Sequence, residues 1–285
     1  MNKKVSVSLI ILTRNEEMHL KRCIDSARNI ASNVIVVDSF SSDKTESIAK
    51  ECGAEFVQHQ FLNQADQFNW ALDNLEINGD WILRLDADEF LTKELSDEIS
   101  ETLENISENI SGFSIKRRVH FMGRWIRHGG YYPSWFVRLF KKGRGRYEVR
   151  EVDEHVVISD GEIQNLKNDF VDSNKQNLEW WIGKQNNHSS REVLALINKS
   201  KDKELKPSLF AGQAERRRWL KEKLFMSSPK FMRSFLYFFY RYFLRLGFLD
   251  GVEGLIFHFL TAFWYRFLID AKLFEYQKAI KNNNK

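Results

Sequence analysis

Residues 5–90 alternate between short apolar runs and segments with helical periodicity, a pattern that few architectures accept. Val5–Leu12 (VSVSLIIL) is a nearly continuous apolar run, suited to a parallel strand covered on both faces. Asn15–Asn29 then sets Leu20, Cys23, Ile24 and Ala27 at helical spacing, with Glu16 and Glu17 expected in the first turn. Val34–Val37 reads as a strand, Ser42–Cys52 as a helix with Ile48 and Ala49 inward, and Phe56–Val57 as a short strand. Asn63–Leu75 reads as a helix and Trp81–Leu85 as a strand. Strand–helix alternation of this kind predicts an α/β fold on a mostly parallel sheet with right-handed crossovers. Further on, residues 91–111 read as a helix and Phe113–Phe121 as a strand. A Gly/Pro/aromatic loop, HGGYYPSWFVRLF, then runs into another strand, Lys141–Arg146 forms a turn, and the chain is mostly helical from Leu178.

No GxGxxG follows the first strand, so the dinucleotide fingerprint is absent. Acids stand at strand ends instead. Asp38 follows IVV, and Asp86 follows WILRL in the run WILRLDADEF. In open α/β sheets, ligands bind just outside the carboxyl ends of the strands. Asp86, Asp88 and Glu89 so close together admit two readings. One is a strand leaving the core ahead of a helix whose first turn favours acids. The other is a cation site: on an extended backbone Asp86 and Asp88 share a face while Ala87 turns back to the core, and a divalent cation relieves their repulsion. VIVVDSFSSDKT (Val34–Thr45) is likewise either an ordinary βα turn, with Asp43 capping the next helix, or a place where Asp38 accepts hydrogen bonds from a nucleobase edge. LTRNEE (Leu12–Glu17) is either a capped helix start, through Thr13 or Asn15, or a phosphate-facing helix N-terminus.

Charge is unevenly distributed. The formal net charge of the 285 residues is +4, yet Arg216–Arg245 carries nine Lys/Arg and one acid, interleaved with Phe, Tyr, Trp and Leu. A basic aromatic segment matches an anionic surface, membrane or nucleic acid, or else a solvated helix face. Gly254–Tyr265, twelve residues without a formal charge, is short for a spanning helix and suits an interfacial or buried one. Arg233, Arg241 and Arg245 among aromatics are expected to snorkel at a membrane surface. A helical subdomain or a dimer face fits the same segment. Cys23 and Cys52 lack metal-ligand spacing and match a reducing compartment, and no apolar signal core follows Met1–Lys4, so no export is expected.

LTRNEE, VVDSFSSD and LDADE, in this order and spacing, resemble the inverting family-two glycosyltransferases of GT-A fold. GRWIRHGGYYPSWFVRLF (Gly123–Phe140), VDEHV (Val152–Val156) and RYFLRLGFLDGVEGL are similar to the branch containing lipopolysaccharide-core glucosyltransferases. The resemblance implies a GT-A catalytic domain over residues 1–205 and a basic, aromatic helical region over 206–285. It implies a nucleotide-sugar site made of Thr13, Arg14, Glu16, Asp38, Asn69, Asp86, Ala87 and Arg138, with Arg14 where the family often has Tyr. It also implies Mn²⁺ or Mg²⁺ on Asp88 and Asp86, and a base at Glu154, with Asp153 in reserve. An inverting transfer needs such a base for the acceptor hydroxyl and a cation for the leaving diphosphate. The expected activity is metal-dependent transfer of a sugar, UDP-linked as the resemblance implies, to a lipid-linked saccharide at the inner face of the cell membrane. A homo-oligomer is allowed and no nucleic acid is expected. A nucleotidyltransferase would use similar acids but a Gly-rich basic loop, which LTRNEE lacks, and a non-catalytic adaptor would not need the full acid set.

Overall fold

The computed structural model describes residues 5–148, 155–199 and 228–283. They form two compact units, one from the chain up to Trp125 plus Tyr132–Lys175, the other from Ile126–Tyr131 plus the chain from Gln176 onward. The division therefore falls ahead of the helix Leu178–Lys199, whereas the expected boundary at 205/206 lies outside the described residues.

The first unit opens with the expected alternation. It comprises β1 (Val7–Thr13), α1 (Leu20–Ala27), β2 (Ala31–Asp38), α2 (Thr45–Glu51), β3 (Glu55–Gln58), α3 (Gln64–Asn74) and β4 (Trp81–Asp86). There follow β5 (Glu89–Leu91), α4 (Lys93–Glu104), β6 (Ile110–Phe121), β7 (Arg124–Trp125), β8 (Trp135–Lys141), β9 (Gly145–Tyr147), β10 (Val156–Ile158) and β11 (Glu162–Ser173). The main sheet runs β3-β2-β1-β4-β8-β6-β11-β5, with β7 on β6, while β9 and β10 pair separately. β3, β2, β1 and β4 are mutually parallel. β8 is antiparallel to both β4 and β6, and β11 runs parallel to β6.

Every residue of β1 is buried, as its apolar run requires of a strand covered on both faces. Side chains alternate across the sheet. Leu9 and Ile11 pack with Leu20, Cys23, Ile24 and Ala27 of α1 and Leu95 and Ile99 of α4. Ile10 and Leu12 pack on the opposite face with Ile35, Val37 and the α3 residues Ala65, Phe68 and Ala71. The helix expected over 91–111 is shorter. Thr92 caps α4, its hydroxyl accepting from Leu95 N–H at 3.2 Å, and from Ile110 the chain is already strand. β5 and the twelve-residue β11 were not anticipated from the sequence, because exposed polar residues interrupt the alternation of β11.

The second unit contains α5 (Leu178–Lys199), α6 (Met232–Phe239), α7 (Gly251–His258) and α8 (Tyr265–Asn283). A π-helical stretch, Tyr240–Leu244, extends α6, and another, Phe259–Trp264, joins α7 to α8. Val193 of α5 packs with Ile269 and Leu273 of α8, beside a buried Glu192 that accepts from the Tyr265 hydroxyl at 2.8 Å and Arg266 at 3.1 Å. Among the described residues one helix, Gly247–Asn282, is long and apolar enough to cross a membrane by length and composition, with mean hydropathy 1.3. The expectation that Arg233 snorkels fails: it is 4% exposed and ion-paired with the fully buried Asp270. Arg241 is likewise turned inward, over the Tyr131 ring at 4.1 Å and onto the Tyr237 hydroxyl at 2.7 Å. Only Arg245 of the three is exposed.

Candidate active site

Three parallel strands end side by side. In register, Thr13 pairs with Asp38 across β1 and β2, and Leu12 pairs with Asp86 across β1 and β4. The sheet order reverses at β1, which lies between β2 and β4, and that crevice is where an open α/β sheet takes its ligand.

On the β2 side, Asp38 is fully buried. Its carboxylate accepts from the Thr13 hydroxyl at 2.8 Å, from Ser41 N–H at 2.7 Å and from the Ser41 hydroxyl. It thereby shapes the turn in front of the crevice. The turn after β1 is laced to the same loop. Asn15 sits in the left-handed region (φ 56°), its N–H donating to Ser41 Oγ at 2.7 Å. Glu16 N–H donates to Thr45 Oγ1 at 2.8 Å and Glu17 N–H to Asp43 at 3.1 Å. These cross-bonds delay α1 to Leu20, so Glu16 and Glu17 precede the helix instead of forming its first turn. Asp43 does accept from Thr45 N–H, at 3.0 Å, at the start of α2. Arg14 is exposed beside this lacing. The Glu16 carboxylate holds His19 Nδ1 at 2.7 Å, while His19 Nε2 accepts from Lys175 N–H at 2.8 Å, which puts the ring proton on Nδ1.

On the β4 side the acids are held in different ways. Asp86 closes β4, its carboxylate gripped by Arg84 at 2.6 and 3.3 Å, with Arg138 of β8 at 3.6 Å. Ala87 and Asp88 form a turn, not the extended continuation expected, although Ala87 is buried as foreseen. Asp88 is half-buried, and its backbone carbonyl accepts from Arg22 and from Ser173 N–H, each at 3.1 Å. Its Oδ2 accepts from Asn174 at 3.0 Å. Glu89, buried beneath, accepts Asp86 N–H at 2.9 Å and pairs with Arg138. Burial first, and then the charge of Asp86, pushes the Glu89 carboxyl well above the usual range. Arg138, expected to face phosphate, is buried and turned onto these two carboxylates. Asn69 is also occupied: its carboxamide donates to the Tyr147 carbonyl and accepts Tyr147 N–H, both at 3.0 Å, clamping α3 to β9.

Glu154 and Asp153 lie outside the described residues. Glu89, Asn174, Arg22 and His19 are site residues that sequence reasoning did not select. Glu89 carried a signal as the third acid of DADE, whereas Asn174, just past the end of β11, reaches Asp88 because β11 lies in the main sheet. A cavity of roughly 600 Å³ lined by Leu72, Ile77, Ile82, Arg146 and Tyr147 reaches β4 near its start, away from these carboxylates.

For a divalent cation, Asp88 fits best, since its Oδ1 has no hydrogen bond among the described residues. Both oxygens of Asp86 are engaged by arginine. No group of three His, Cys, Asp or Glu is gathered for a metal among the described residues. The donor set matches a cation shared with a diphosphate, since Mg²⁺-type ions are held by one or two carboxylates plus substrate phosphates.

Residues 8–167, more than half of the chain, match the model of glycosyl transferase family 2. The chain belongs to that family. The mixed, mainly parallel sheet with flanking helices is the GT-A arrangement expected of this glycosyltransferase. An uncharacterized glycosyltransferase of Rickettsia conorii is 46% identical over 101 residues, so the match spans about a third (35%) of that relative and of this chain. The lipopolysaccharide core biosynthesis glycosyltransferase LpsC of Rhizobium meliloti is 25% identical over 272 residues, covering 91% of both chains. Glucosyl-3-phosphoglycerate synthase of Mycobacterium tuberculosis, solved with Mn²⁺ and UDP-glucose, overlaps 41% of this chain and 44% of its own. Identity there is 22% and the TM-score 0.34, an overlap that carries no argument about ligands.

Proposed function

We propose that this glycosyltransferase moves a sugar, with inversion, from a nucleotide-sugar, UDP-linked by its resemblance, to a lipid-linked saccharide acceptor in lipopolysaccharide or related surface-polysaccharide synthesis. The observation that carries the donor half is the register of Thr13, Asp38 and Asp86 at three adjacent strand ends, with Asp88 in the following turn. The acceptor half rests on the likeness to LpsC along most of both chains.

In the proposed reaction an acceptor hydroxyl loses its proton to Glu154, with Asp153 in reserve, as its oxygen bonds to the anomeric carbon. The bond from that carbon to the diphosphate oxygen breaks on the opposite face, and the electron pair leaves with the nucleoside diphosphate. Asp88, with Asp86 beside it, would hold a Mn²⁺ or Mg²⁺ that offsets charge on the leaving group. Arg84, Arg138 and Glu89 keep Asp86 in one orientation, and Asn174 does the same for Asp88. The lipid acceptor is reached from the cytoplasmic face of the membrane, where the enzyme is peripheral.

A thermal-shift screen of UDP-, GDP- and CMP-sugars, with Mn²⁺ and with EDTA, tests this reading. A UDP-sugar stabilising the protein only with the metal supports it. If no nucleotide-sugar shifts the melting temperature under either condition, the donor reading fails.

A further inference from the structure

The helix α6 and its π-helical extension are amphipathic the wrong way round for a soluble protein. Phe235, Leu236, Phe239, Tyr240, Phe243 and Leu244 fall at i, i+1, i+4, i+5, i+8 and i+9, the stripe that normally turns to a core. All six are exposed, Phe235 by 60% and Leu244 by 65%. The fully buried residues of the helix are polar, Arg233 at 4% exposure and Ser234 at 0%, with Tyr237, Phe238, Arg241 and Tyr242 half-buried beside them. Arg233 is paired with Asp270 at 0%, and elsewhere in this unit Arg266 is paired with Glu192 at 6%. The exposed band continues past the helix through Leu246, Phe248, Leu249 and Val252.

Water penalises this arrangement and lipid does not. Monomeric soluble proteins rarely expose a contiguous apolar patch of more than a few hundred Å². Ionisable groups in lipid-embedded helices, by contrast, face the bundle interior and pair with one another. Exposed charge along the band has one sign: between Ser228 and Val252 the formal charges are Lys230, Arg233, Arg241, Arg245 and a single acid, Asp250, which is buried. Lys230 and Arg245, at either end of the stripe, are exposed. That pattern complements anionic headgroups. Met232–Leu244 is thirteen residues, about 20 Å of helix against a hydrocarbon core of about 30 Å, too short to cross.

We infer that this stripe is the lipid-contacting surface of the enzyme, with α6 and its extension lying along the headgroup–acyl boundary of an anionic bilayer. The inference rests on the reading of a lipid-linked acceptor, and it names the part of the chain that meets the lipid.

The test uses the full chain and vesicles of equal parts phosphatidylglycerol and phosphatidylcholine. Phe239→Glu combined with Leu244→Glu is expected to lower the floated fraction about tenfold, because charge is costly at the acyl boundary. Leu62→Glu, an exposed apolar position of the first unit, should float like wild type. UDP binding in solution is scored separately, so failure of the donor reading is distinct from failure of the lipid surface. Unchanged flotation of the double variant overturns the inference. So does a wild-type dimer in lipid-free buffer that the double variant converts to monomer without loss of flotation, since the stripe then belongs to a second copy. A further readout needs no charged substitution. With Cys52→Ser removing the accessible thiol and Cys23 buried, a solvent-sensitive fluorophore on Phe239→Cys should shift to the blue on adding vesicles. Emission that does not change also overturns the inference.

Discussion

At the scale of single residues, the two acids of the DAD turn are not equivalent. Asp86 has each oxygen engaged by a guanidinium group, whereas Asp88 keeps one oxygen without a hydrogen bond among the described residues. Asp88→Asn should therefore remove the EDTA-sensitive part of UDP binding while the melting temperature holds. Wild-type UDP affinity indifferent to EDTA would remove the metal from the proposal altogether. Glu154→Gln keeps the side-chain shape but takes no proton, so kcat should fall by a factor on the order of 10²–10⁴ with donor affinity retained. Asp153→Asn should cost less. Steady-state rates of the two variants decide between them, and a dead Asp153→Asn beside an active Glu154→Gln moves the base back one position.

At the scale of elements, the Asn69 clamp separates structural from donor-binding roles. Asn69→Ala removes both hydrogen bonds that the carboxamide makes with the Tyr147 backbone, a loss on the order of 2 kcal/mol. Urea denaturation should show that loss while the folded variant binds UDP like wild type. A folded variant with weakened UDP binding would return Asn69 to the donor site. In the second unit, His258 of α7 is buried and its pKa is lowered from 6.5 to about 4, by burial first and then by Arg241. Asp250 pulls it the other way and His128 adds to the lowering. A lowered folded-state value means the contribution is complete above pH 6.5 and is lost as pH falls toward about 4, where the unfolded chain alone has taken up the proton. His188 of α5, also lowered to about 4, adds to the same window. Melting temperature should fall with pH across that interval, less steeply in His258→Asn. A slope unchanged by that substitution would place the effect elsewhere.

At the scale of the whole molecule, a modest net charge of +4 conceals a basic, apolar C-terminal stretch. Attraction between exposed cations and an anionic bilayer is screened over about 10 Å at 0.1 M salt. Raising salt to about 1 M, where the screening length is near 3 Å, should therefore weaken flotation without abolishing it, because the apolar stripe is insensitive to screening. Complete release by salt would mean that charge alone holds the protein at the surface, and no effect at all would mean that charge contributes nothing.

The α/β core was legible in the chain because its information is local. Val7–Thr13 is buried on both sides and so is apolar at nearly every position, and each helix that covers it repeats its apolar residues at helical spacing. The acids at Asp38, Asp86 and Asp88 were legible for the same reason, since each sits at or just beyond the end of such a run. What the sequence could not express is which distant groups meet those acids. Arg138 turns onto Asp86 and Glu89 because β8 inserts antiparallel next to β4. Asn174 reaches Asp88 because β11, whose alternation is broken by exposed polar residues, lies in the same sheet. The polarity of α6 was likewise decided in three dimensions. Its arginines among aromatics suggested cations reaching a surface, whereas the burial of Arg233 against Asp270 turns Phe235, Leu236, Phe239 and Leu244 outward. Periodicity records that two faces differ, and which face is inside depends on charges paired across thirty-seven residues of chain.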